Sequence, residues 1–92
     1  MNQAELPFDY PKNPASYGTQ EYVVYETLVN HREVIGSVFQ NMVPSIPEYR
    51  SRINRLRHKL KPLGWWIDSR PVKDSKYNVF SLCRYEERRM AA

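Results

Sequence analysis

Ser45-Ile46-Pro47-Glu48-Tyr49-Arg50-Ser51-Arg52-Ile53-Asn54-Arg55-Leu56-Arg57-His58-Lys59-Leu60-Lys61-Pro62-Leu63-Gly64 carries the strongest pattern in this chain of 92 residues. Tyr49, Ile53, Leu56, Leu60 and Leu63 recur at spacings of four, three, four and three, the repeat of one helix face. Ser45 and Glu48 have the S-x-x-E spacing of a capping box, and Pro47 falls in the first turn, where its missing N–H is no loss. Pro62 and Gly64 end the pattern. A helix over residues 46–63 is predicted. With Tyr49 at zero and an advance of about 100° per residue, the apolar stripe gathers on one side. Ser51, Asn54, Arg55, His58 and Lys61 fall opposite it. Arg50 and Arg57 flank one edge, and Arg52 and Lys59 the other.

This segment holds six bases and one acid, and every base lies off the buried face. Surface helices usually mix signs, because opposite charges at i, i+4 support a helix and like charges cost it a few tenths of a kcal/mol. Few partners within the helix are expected for these cations, and phosphate is the usual external one. Asn54 and Arg55 are residue types that pair with adenine and guanine edges in the major groove. Lys59 and Lys73 are expected to meet phosphates without reading sequence. The whole chain is skewed the same way. Its net charge is +4, yet residues 1–45 carry five acids and two bases, while residues 46–92 carry twelve bases and five acids. One side of the domain is expected to meet a polyanion, the alternative being a solvated basic face.

Outward from this helix the chain reads as one domain. Residues 1–17, with Pro7, Pro11 and Pro14, form an extended arm that packs Leu6, Phe8 or Tyr10 onto the rest. Thr19 is an N-cap for a helix over 20–30 that buries Val24, Leu28 and either Tyr25 or Val29. Glu33-Val34-Ile35 suggests a short strand. A brief helix over 37–42 follows, with Val38, Phe39 and Met42 as its apolar edge. Beyond Gly64 the period changes. Trp65–Ser69 and Tyr77–Cys83 are rich in aromatic and β-branched residues around the polar stretch 70–76, a β-hairpin signal. Residues 85–92 form a charged tail.

The expected fold is therefore α+β, three helices with a C-terminal β-hairpin, the order of a winged helix-turn-helix over residues 18–84. Gly18-Thr19-Gln20, the run Tyr49-Arg50-Ser51-Arg52-Ile53-x-x-Leu56-Arg57, Leu63-Gly64-Trp65 and the strand Tyr77-x-Val79-Phe80-x-Leu82 resemble the small winged helix-turn-helix DNA-binding domains of bacteriophages and prophages. Residues 53–60 also resemble the recognition helix of the response-regulator DNA-binding domain. The resemblance covers residues 18–83. It implies a recognition helix at 46–63 in the major groove and a wing at 69–76 that contacts phosphates or the minor groove. The implied DNA-binding residues are Arg50, Ser51, Asn54, Arg55, Arg57, His58, Lys59 and Lys61 on the helix, and Arg70, Lys73 and Lys76 on the wing. The implied role is regulation of transcription in a phage or mobile element.

Other chemistries find little here. The lone Cys83 excludes an internal disulfide and a multi-cysteine zinc site, and suits a reducing, cytoplasmic setting. His31 and His58, with scattered acids, do not compose a metal site. Cys83 reads as a strand residue, and His31 as a helix end. No nucleophile is matched to a base, and no phosphate loop occurs, so no catalytic residue, cofactor or metal is expected. No apolar run approaches the roughly 20 residues that span a bilayer. Strand alternation sends one of Trp65 and Trp66 inward. The expected partner is double-stranded DNA, with a homodimer or partner protein extending the short site. The rival reading is a protein–protein interaction module on the same scaffold.

Overall fold

Thr19 opens the first helix by accepting a hydrogen bond from the Tyr22 N–H at 3.1 Å, which satisfies one of the donors that a helix N-terminus leaves free. In the computed structural model, which describes residues 10–87, helix α1 runs Gln20–His31. Strand β1 (Glu33–Ile35) and the short helix α2 (Gly36–Gln40) follow. Next come helix α3 (Tyr49–Leu60), a 3-10 turn over Lys61–Leu63, and the hairpin strands β2 (Trp65–Pro71) and β3 (Asn78–Arg84). Among the described residues this is an α+β fold of three α-helices and one antiparallel sheet in the order β1-β3-β2. The arrangement is compatible with a winged helix.

The core lies between the inner sheet face and the helices. From β2 come Trp65 and Ile67, and from β3 come Phe80 and Leu82, with Ile67 opposite Leu82 in register. Tyr49, Ile53, Leu56 and Leu60 of α3 are buried against them, as the 4-3-4 spacing predicts. From α1, Val24, Tyr25 and Leu28 are buried, and Val29 packs partly. Burying one such aliphatic side chain stabilises the fold by roughly 1.5–3 kcal/mol. Of the arm residues, Leu6 and Phe8 lie outside the described residues, whereas Tyr10 packs edge-on against Trp65 with ring centroids 5.2 Å apart. Tyr85–Glu87 form a 3-10 turn, and the remainder of the tail lies outside the described residues.

Four expectations are corrected. The capping box does not form: α3 begins at Tyr49, with Glu48 at the N-cap and no side-chain cap bond. The reason is tertiary. Ile46 is buried and its N–H donates to the Phe39 carbonyl at 2.8 Å, which holds residues 45–48 as a connection rather than a first turn. Leu63 is 53% exposed instead of continuing the stripe. Gly64, at φ 85°, reverses the chain there, and Trp65 takes the core position at that end. Val38 is exposed, because the short α2 turns only Phe39 fully inward. Finally, Arg70 belongs to strand β2 and not to the loop. It shares the outer sheet face with Trp66 and Asp68, and pairs with Glu33 of β1 at 3.0 Å.

Candidate nucleic-acid interface

The outward face of α3 exposes Ser51, Asn54, Arg55 and His58, the strip opposite the core stripe. Among the described residues, Arg55 and His58 make no ion pair or hydrogen bond with another side chain. The cations on either edge of the strip differ from them, because partners reach them from neighbouring elements.

On the edge facing α1, Lys59 Nζ lies 2.6 Å from Glu21 Oε2, and Glu21 is buried. Arg52 Nε donates to Gln20 Oε1 at 3.3 Å, and its terminal nitrogen approaches Glu48 at 3.9 Å. On the edge facing the hairpin, Arg57 Nε donates to the Ile67 carbonyl at 2.8 Å, and its Nη1 donates to Asn54 Oδ1 at 3.2 Å. The Arg57 guanidinium also lies over the Trp66 ring, 5.2 Å from its centroid, which covers the outward tryptophan. Burial holds the Arg57 pKa below the usual arginine value, with Asp68 and Cys83 opposing that shift. Arg50 Nη2 reaches the Lys76 carbonyl at 3.5 Å, and Lys61 lies over the Tyr85 ring at 5.3 Å.

Within the helix segment these cations have few partners, the Arg52–Glu48 pair and the Arg57–Asn54 bond, as expected, but across the fold other elements reach several of them. Lys59 and Arg57 hold elements together: one joins α3 to α1, the other joins α3 to β2.

The loop between β2 and β3 exposes Lys73 and Lys76. A turn shapes it, in which the Ser75 N–H donates to the Val72 carbonyl at 3.1 Å and Asp74 adopts φ 62°. The Tyr77 hydroxyl donates to Gln40 Oε1 at 2.8 Å, and with the Arg50 contact this ties the loop to α2 and α3. Of the three expected wing cations, two lie on the loop, and Arg70 lies on the far face of the sheet.

Between α3 and the hairpin is a cleft of about 200 Å³ lined by Arg50, Ile53, Asn54, Arg57, Ser69, Asn78 and Phe80. Ser69 and Asn78 were not among the expected site residues. Their signal is nonetheless present: they continue the inward-facing series Trp65, Ile67 and Phe80, Leu82 past the core, where the inner face turns polar. A second depression, of about 290 Å³, lies across α3 between Gln20, Arg52 and Arg55. A third, of about 550 Å³, lies between the chain leading into α1 and that helix. There Asn13 Nδ2 bonds Glu26 at 3.0 Å and the Tyr22 carbonyl at 3.1 Å.

His31 is exposed at the end of α1. Burial, together with Asp68 and Glu87, pushes the Cys83 thiol above its ordinary pKa, which keeps it protonated and poorly nucleophilic. Among the described residues, no three metal-binding side chains gather. No helix of the described residues is long and apolar enough to cross a membrane. No protein-family model, curated protein or solved structure matches this chain.

Proposed function

We propose that this chain is a winged helix-turn-helix protein that binds double-stranded DNA sequence-specifically, with α3 in the major groove and the 72–77 loop as the wing. Its proposed role is transcription regulation in a phage or other mobile element. The observation that carries the reading is the strip Ser51, Asn54, Arg55, His58. It combines hydroxyl, amide and imidazole groups with a guanidinium that no described residue engages, between Lys59 on one edge and Arg57 on the other, which neighbouring elements hold. Charges held at the edges stiffen the helix on the domain, while the strip keeps its donors for a ligand. Arg50 and the exposed Lys73 and Lys76 extend the basic surface along the hairpin side. Phosphates neutralise such a surface by releasing counterions, and base edges suit the strip.

Selection of bound duplexes from a random pool, followed by titration at several salt concentrations, tests the proposal. Arg50, Arg55, Lys61, Lys73 and Lys76 are exposed cations of this surface that make no ion pair among the described residues, so the slope of log K against log salt should be about −3 to −5. Arg55→Ala should reduce that slope by about one and relax preference at one base position. Binding without sequence preference or salt dependence would refute the proposal and favour a protein partner on the same scaffold.

A further inference from the structure

We infer that the cleft between α3 and the hairpin is an oxyanion site for one phosphate, and that Asn54 serves it as a hydrogen-bond donor instead of reading adenine. This rests on the DNA-binding reading, in which the phosphate is a backbone phosphodiester of the duplex.

The Arg57 guanidinium has donors and no acceptor. Its Nη1 lies 3.2 Å from the Asn54 side chain, so the Asn54 amide must turn its oxygen toward it. The Nδ2 group, with two donors, then projects away from Arg57. A bidentate contact with adenine needs the asparagine oxygen to accept from N6 while Nδ2 donates to N7. With that oxygen turned toward Arg57, Asn54 offers a ligand its donor half. A phosphate oxygen is the acceptor that suits such a group.

The surroundings have the same polarity. Asn78 Nδ2 donates to Ser69 Oγ at 3.3 Å, which leaves the Ser69 O–H to donate elsewhere. Arg50 and Arg57 line the same cleft with the apolar Ile53 and Phe80, and no carboxylate is part of it. Among the described residues, neither arginine makes an ion pair. Asp68 acts on Arg57 from the outer sheet face without forming one. A half-buried cation with no paired carboxylate gains from an arriving anion. Geometry supplies the placement. Arg50 Nη2 contacts the Lys76 carbonyl, so a phosphate held here lies between the helix and the loop proposed as the wing.

The test uses the full chain and a duplex selected from a random pool. Neutral methylphosphonates replace single backbone phosphates one at a time, and affinity is read by fluorescence anisotropy for wild type and Asn54→Ala. Asn54 is exposed, and a melting curve checks that the variant is folded. One position should cost wild type about tenfold, and the same substitution should cost Asn54→Ala far less. A loss of equal size in both proteins, or a consensus changed at one base by Asn54→Ala, would overturn the cleft site and leave DNA binding standing. If no duplex binds, the DNA reading fails, and inorganic phosphate at tens of millimolar becomes the probe. Shifts of the Asn54 side-chain amide resonances in wild type, absent in Arg50→Ala, would retain the oxyanion site for free phosphate. No shift would overturn the site too.

Discussion

Replacing Lys59 by methionine removes a cation from the basic helix while keeping most of its aliphatic stem, so it separates a structural charge from one that meets DNA. The Nζ–Oε2 distance to Glu21 is 2.6 Å, and the Glu21 side chain is 9% exposed against 45% for Lys59. The pair is thus neither a surface contact, worth roughly 0.2–1 kcal/mol, nor fully buried, where loss of one partner costs roughly 3–5 kcal/mol. Glu21 also lies in the first turn of α1, where the helix dipole still favours a carboxylate after Lys59 is gone, by roughly 0.3–1 kcal/mol. The expected cost of Lys59→Met is therefore about 1–2 kcal/mol, or a fall in Tm of about 5–15 °C for a domain of this size. Urea and thermal melts of wild type, Lys59→Met, Glu21→Gln and the double variant give the coupling energy, which should be about 1 kcal/mol. The salt slope of duplex binding by Lys59→Met should stay at the wild-type value. A Tm left in place with no coupling, together with a slope reduced by one, would refute this reasoning and return Lys59 to the DNA phosphates.

The two ends of the leucine stripe should behave differently: Leu60→Ala should cost roughly 2–5 kcal/mol in urea melts, whereas Leu63→Ala, at an exposed position, should change stability by about 0.5 kcal/mol or less. A Cβ at Gly36 would press on the Tyr49 ring, with Cζ only 2.8 Å away, so Gly36→Ala should lower stability by about 1–3 kcal/mol despite its better helix propensity. A Tm raised by that substitution would show that the ring moves aside. Burial raises the Tyr25 pKa above its ordinary value, helped by the charges of Glu26 and Tyr10, and its hydroxyl donates to the Pro11 carbonyl at 2.7 Å. The neutral phenol is thus favoured in the folded state. Its contribution is complete below about pH 10 and falls as pH rises beyond that value, a loss that thermal melts of Tyr25→Phe should lack.

Sequence periodicity alone determined which side of α3 is buried, because a helix of 3.6 residues per turn leaves little freedom once Tyr49, Ile53, Leu56 and Leu60 must share a core. It also located the Thr19 cap and the hairpin, since cap chemistry and strand alternation act between residues close in the chain. The start of α3 escaped it. The S-x-x-E pattern at Ser45 and Glu48 is a sound local signal, but the burial of Ile46 and its bond to Phe39 come from another part of the chain and prevail. The same limit governs the candidate site. Residue type and helical angle marked Arg50 to Lys61 as a cationic face, yet neither says which cations a distant carboxylate or carbonyl already holds. Glu21, Ile67 and Lys76 are remote in sequence, and only the packing of α1 and the hairpin against α3 brings them to Lys59, Arg57 and Arg50. Side-chain charge is a property of composition, whereas the freedom of that charge to meet a ligand depends on long-range contacts. Tertiary structure alone decided which of these cations keep that freedom.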